Sequence, residues 1–243
     1  MTVFVLKIIA YISMIIDHVT YAFIPQYIGT GQINPVYVVG RSLGRPAFII
    51  FAFLIVEGYF HTRDKFKYAG NLLILAFASE LPFDLFSSGT LTDTYMAQQN
   101  VMWTLILGYL TVWLVDTIKM RYFIDFRFRY YVYTVGVITV AFVAAYAGRT
   151  DYGGIGVLCV LLFFYFWRNE GQLMIGLLVW GVAAFFLGET LELIGVFAVL
   201  ILLHFYKGEK GPSLKLLFYL IYPVHLLVIG LIVNFSGILA LLH

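Results

Sequence analysis

Nine apolar runs, at 3–24, 46–60, 68–87, 100–118, 130–148, 153–167, 172–187, 191–206 and 213–241, fill most of this 243-residue chain, with only short polar turns between them. A run of about 20 apolar residues matches a ~30 Å hydrocarbon core, and inside lipid the backbone must satisfy its own hydrogen bonds, which a helix does. The pattern predicts an all-α, polytopic transmembrane bundle of about nine helices. With no repeat, low-complexity tract or linker, 1–243 reads as a single domain. The seventh and eighth runs are short and separated only by Gly188-Glu189-Thr190, so a re-entrant hairpin is the alternative there. Composition agrees: 62% of residues are apolar and 12% charged, with a mean hydropathy of +0.94, against roughly 25% charged in soluble domains. The net charge of +2 gives no reason to expect a nucleic-acid partner. The single cysteine, Cys159, excludes an intramolecular disulfide and a cysteine-based zinc site and reads as packing. The first run lacks an Ala-x-Ala-like cleavage site and carries Asp17-His18 in its core, so it reads as a retained helix.

Charge sets the expected orientation. With the N-terminus inside, the inner segments hold Lys7, Arg63, Lys65, Lys67, Lys119, Arg121, Arg127, Arg129, Arg168, Lys207, Lys210 and Lys215. The outer ones hold Arg41, Arg45 and Arg149. This asymmetry follows the positive-inside rule and predicts an outer C-terminus, an inner 61–67 segment and an outer 88–99 segment.

Counting from the helix ends then gives depth. Eleven residue steps separate Lys7 from His18, ~16 Å of helix rise, which puts His18 near mid-membrane. Asp17, Glu80, Asp84, Asn100, Thr104, Asp151 and His225 fall at similar or more outward depth, and Arg45 joins them at the outer start of the second run. Ionisable side chains in that position pair with one another inside a bundle and mark functional sites. On the first helix, Lys7, Tyr11, His18 and Tyr21 share one stripe, while Ala10, Ser13, Asp17 and Thr20 share its neighbour. Asp17 lies ~100° around the helix from His18, so the group holding His18 must come from another helix. On the last helix Lys215, Phe218, Tyr222 and His225 form a similar stripe, and Pro223 offers a kink that re-aims Tyr222 and His225.

Each signal also has a plainer explanation. One intramembrane histidine serves as readily for helix-helix hydrogen bonding as for catalysis; two at one depth beside several carboxylates favour a functional cavity. His61, His204 and His243 read as interfacial. The segment His61-Thr62-Arg63-Asp64-Lys65-Phe66-Lys67 reads first as a topological anchor, then as a landing site for an anionic cofactor. Gly153-Gly154-Ile155-Gly156 follows no strand, so it suits close helix packing and not a nucleotide.

Lys7, ten residues and His18 resemble the opening helix of the type-3 acyltransferases, with lysine where those enzymes carry arginine; lysine cannot bind phosphate through a bidentate fork. A resemblance to the TraX family covers nearly the whole chain. It rests on Leu6-Lys7…Asp17-His18, Gly44-Arg45…Phe51-Ala52-Phe53…Glu57-Gly58…His61-Thr62-Arg63, Pro82-Phe83-Asp84, Asn100-Val101…Thr104-Leu105, Asp151-Tyr152-Gly153…Gly156-Val157 and Phe218-Tyr219…Tyr222-Pro223-Val224-His225-Leu226. The expected Phe-Pro pair of the second helix reads Phe48-Ile49, with the proline at Pro46.

The resemblance implies an integral acetyltransferase of the bacterial inner membrane. It would move acetyl from cytoplasmic acetyl-CoA to an amine or hydroxyl acceptor, a pilin-like N-terminus or a cell-envelope carbohydrate. Under it, Arg63, Lys65, Lys67, Lys119 and Arg121, with Lys7 and Arg45, meet the anionic donor. His18 acts as general base, or as an acetyl-carrying nucleophile. His225, Tyr222 or Asn100 donates to the oxyanion, and Asp84, Glu80 or Asp151 orients His18, with Asp17 beside it. A proton-coupled transporter and a membrane scaffold are the competing classes. No metal is expected, and the oligomeric state is open.

Overall fold

A computed structural model describes residues 1–29, 31–88 and 98–241. Most of the 88–99 segment and His243, both assigned a place above, lie outside the described residues. Among them run ten α-helices: α1 (Val3–Phe23), α2 (Pro35–Gly44), α3 (Pro46–His61), α4 (Lys65–Ser87), α5 (Val101–Tyr122), α6 (Arg127–Ala147), α7 (Gly153–Tyr165), α8 (Glu170–Phe186), α9 (Glu192–His204) and α10 (Lys215–Leu241). One antiparallel pair of two-residue strands, β1 (Tyr27–Ile28) and β2 (Gln32–Ile33), joins α1 to α2.

The all-α membrane class holds, with fewer full spans than the nine apolar runs suggest. Among the described residues, six stretches are long and apolar enough to cross a bilayer: α1, α2 with α3 (Pro35–His61), α4, α5, α6 and α10. Helices α7, α8 and α9 have 13, 17 and 13 residues. At 1.5 Å per residue, 13 residues reach only ~20 Å. The second run starts eleven residues before its expected Pro46, because Asn34 caps α2 through a 3.0 Å bond from the Val36 N–H and Pro35 takes the first helical position. Arg41 and Arg45 therefore sit within a helical stretch and not in an outer loop.

The chain divides into two compact units whose boundaries fall within α3, α4 and α8 and between α4 and α5. The first comprises 1–51, 78–97 and 177–243, the second 52–77 and 98–176.

In the first unit, α1 uses both stripes legible in its sequence. The small, polar stripe meets α2. Ser13 Oγ donates to the Leu43 and Gly44 carbonyls at 2.6 and 3.0 Å, and a Cβ on Gly44 would fall 2.3 Å from that of Asp17. Glycine is what permits this approach. The other stripe meets α10: Lys7 lies 5.2 Å over the Phe218 ring, Tyr11 stacks on that ring at 5.4 Å, and His18 meets His225. Contacts that advance along both helices together mean that α1 and α10 run in the same direction. The third face of α1, with Ile8, Ile12, Ile15 and Val19, is exposed and apolar, as a lipid-facing surface would be. Helix α10 continues through Pro223 as one helix.

The second unit is built on α5 against α6 and α7. Gly108 allows Val160 to close on α5, and Gly154 allows the Phe142 ring to close on α7, the packing role read from the 153–156 glycines. Cys159 is fully buried in α7, consistent with packing.

Candidate active site

His18 and His225 meet within the first unit through Nδ1 of His18 and Nε2 of His225, 2.7 Å apart. Their rings are coplanar to 1° with centroids 5.0 Å apart. That is the edge-to-edge arrangement of an in-plane N–H···N bond, since stacked faces would bring the centroids closer. Nδ1 of His225 lies 2.8 Å from the Ile221 carbonyl, one helical turn back. A carbonyl only accepts, so Nδ1 of His225 carries a proton. In a neutral ring its Nε2 then bears the lone pair, accepts from His18, and leaves His18 as the Nδ1–H tautomer. The network therefore assigns an unprotonated Nε2 to His18. Phe86 packs 5.0 Å from the His18 ring and Tyr222 5.7 Å from His225, keeping both imidazoles in a largely apolar setting.

This changes two expectations. The partner that fixes His18 is His225, itself fixed by a backbone carbonyl, where a carboxylate was expected. In the resting dyad His225 also has no N–H left for an oxyanion. Asp84 is 1% exposed and its carboxylate oxygens accept no hydrogen bond from any described residue. Glu80, one turn earlier on α4, is half-buried. Tyr222 is buried on α10.

Asp17 belongs to an ionic network that the sequence only partly revealed. Arg41 Nη1 donates to its Oδ2, and Arg45 Nη2 lies 3.2 Å from its Oδ1. Arg45 Nη1 reaches Glu192 at 3.0 Å and Glu189 at 3.7 Å. Glu192 has no exposed side-chain surface, so its charge is tolerable only when paired. Arg45 is thus engaged with three carboxylates, not left open for a cofactor. Arg41 and Glu192 were missed as site residues. Their signal was a buried arginine needing a counter-charge, with Glu189 and Glu192 one turn apart at the start of α9. Arg45→Ala strands Glu192 and is expected to cost about 3–5 kcal/mol, read as a lowered unfolding midpoint in detergent.

The remaining candidates, Lys7 apart, belong to the second unit. Asn100 caps α5 through Met102 N–H at 3.0 Å and donates to the Ala76 carbonyl at 3.0 Å. Asp151 accepts from Tyr152 N–H and Gln98 at 3.1 Å each, beside the 2.9 Å contact between Thr104 and Thr150. Both side chains are engaged in local structure. At the end of this unit where α4 begins and α5 finishes, Phe66 packs 4.6 Å from Trp113 and Tyr59 donates to Asp116 at 2.6 Å. Lys65 folds back on the Tyr59 ring and carbonyl. Arg63, Lys67, Lys119 and Arg121 remain exposed there. Lys7, in the first unit, is half-buried against Phe218.

The model of the TraX protein family matches residues 3–233. The chain is 26% identical to a probable fimbrial assembly protein, FimC of serogroup H1, from Dichelobacter nodosus, over 92% of each sequence. No solved structure matches. With nearly its whole length matched, this chain belongs to the TraX family.

Proposed function

We propose that the protein is an acetyltransferase of the bacterial cytoplasmic membrane, taking acetyl from acetyl-CoA and giving it to an amine or hydroxyl acceptor, with His18 as general base. The observation that carries this reading is the assigned lone pair on His18 Nε2, held in place by His225 and the Ile221 carbonyl. A base needs that lone pair available and its ring fixed. As the acceptor nitrogen or oxygen bonds to the thioester carbon, His18 Nε2 takes the acceptor's proton. When the C–S bond breaks, the same nitrogen returns the proton to the departing thiolate. While His18 is charged, its Nδ1–H donates to His225, and the Ile221 carbonyl dipole at the far end of the relay favours positive charge on the pair.

The exposed Arg63, Lys67, Lys119 and Arg121 suit recognition of the donor's phosphates, and Lys65 beside them adds to the positive potential. The fimbrial assembly name of the relative supports a protein acceptor, namely an exported subunit with a free N-terminal amine. The test uses purified protein in detergent with acetyl-CoA and a peptide bearing a free N-terminus. Free thiol is expected to appear with one acetyl group added per thiol. Correctly folded protein that releases no thiol would refute the proposal.

A further inference from the structure

The reaction proposed above places negative charge on the thioester oxygen, and the three donors expected from sequence do not account for its stabilisation. His225 spends its only N–H on Ile221, Asn100 caps α5 with its Oδ1 and turns its amide nitrogen to the Ala76 carbonyl, and Tyr222 is 4% exposed within α10. A guanidinium does stand near His18. Arg41 of α2 bonds Asp17, the residue preceding His18, and lies 5.4 Å over the ring of Tyr21, one turn beyond His18 on the same stripe. Phe86 touches both His18 and Tyr21, at 5.0 and 5.6 Å, so Arg41 stands beside the turn of α1 that carries the base.

We propose that Arg41 is the oxyanion donor of the transfer step and that Asp17 is the positioning residue that holds it there. A guanidinium has five N–H groups. Among the described residues, Asp17 is the hydrogen-bond partner of this side chain, through Nη1 alone, which leaves Nε–H and the Nη2 hydrogens to donate. Arg45, by contrast, is divided among Asp17, Glu192 and Glu189. As the acceptor attacks, the carbonyl π electrons move onto oxygen and are met by these N–H groups. When the C–S bond breaks the carbonyl re-forms and Arg41 is released unchanged.

This assignment rests on the acetyltransferase reading, so wild type and His18→Ala are run in the same thiol-release assay. Wild type without transfer removes the reading itself and this assignment with it. Given an active wild type, Arg41→Gln is expected to lower kcat by about 10²–10³-fold, the usual effect of deleting one oxyanion donor. The KM for acetyl-CoA should stay within about twofold, since a donor made only in the transition state does not alter ground-state binding, while loss of the Asp17 pair lowers the unfolding midpoint without changing that split. Should Arg41→Gln fail to fold, Arg41→Lys keeps a cation for Asp17 but loses the fork and is expected to lose at least about tenfold in kcat. Guanidinium added to Arg41→Ala is expected to restore part of the rate. A folded Arg41→Gln or Arg41→Lys with wild-type kcat, or one that raises KM alone, overturns the assignment.

Discussion

His18→Ala is expected to all but abolish acetyl transfer while acetyl-CoA still binds. Removing a general base costs about 10²–10⁴-fold, and if Nε2 carries the acetyl group the loss is larger, because the step itself disappears. Binding survives because the groups suited to the donor's phosphates are exposed cations at other positions, Arg63, Lys67, Lys119 and Arg121. The measurement is kcat beside acetyl-CoA affinity in the same preparation. A His18→Ala protein that transfers at the wild-type rate would remove His18 from the chemistry and favour a proton-coupled transporter.

The second large effect is expected at His225, in kcat with little change in KM. Alanine here leaves the His18 Nδ1–H without its 2.7 Å acceptor, so the ring is free to turn or to change tautomer and present a protonated Nε2. In a serine protease, spoiling the group that fixes the histidine tautomer costs about 10⁴ in kcat. That group is a carboxylate, which also stabilises the imidazolium; a neutral imidazole does so less, and a loss of about 10²-fold is expected for His225→Ala. A kcat equal to wild type would mean that His18 is oriented by something else.

How much of this was legible in sequence follows from which interactions are local. Helical periodicity divides α1 correctly into a stripe with Lys7, Tyr11 and His18 and a stripe with Ala10, Ser13 and Asp17, because facing is a property of one helix. The two stripes meet α10 and α2 respectively. Which side chain answers His18 is a property of the packing of two helices more than 200 residues apart in sequence. Depth pointed to Asp84, Glu80 or Asp151 as the group that orients His18 and gave His225 to the oxyanion. Helix α2 was lost among turn signals because Gly40, Arg41, Ser42 and Gly44 look like an outer loop. Asn34 followed by Pro35 was the available start signal, and Gly40 and Gly44 are where Thr20 and Asp17 of α1 press close. Once α2 was read as loop, Arg41 and Arg45 became topology markers, and Glu192 had no visible reason to be buried. The length of α7 was overestimated because hydropathy does not register where backbone turns: Tyr152 at φ 61° and Arg168 at φ 63° lie just beyond its two ends, in a region that L residues enter mainly at turns.

The central claim is the proton arrangement of the dyad, and the most direct measurement is ¹⁵N NMR of histidine-labelled protein in lipid bilayers, with the signals assigned by His18→Ala and His225→Ala. The expected result at neutral pH is a proton on Nδ1 of both rings, a bare Nε2 on His18, and a coupling across the hydrogen bond between His18 Nδ1 and His225 Nε2. A protonated Nε2 on His18, with its lone pair turned toward His225, would contradict the account, since the proposed base would then have no free lone pair.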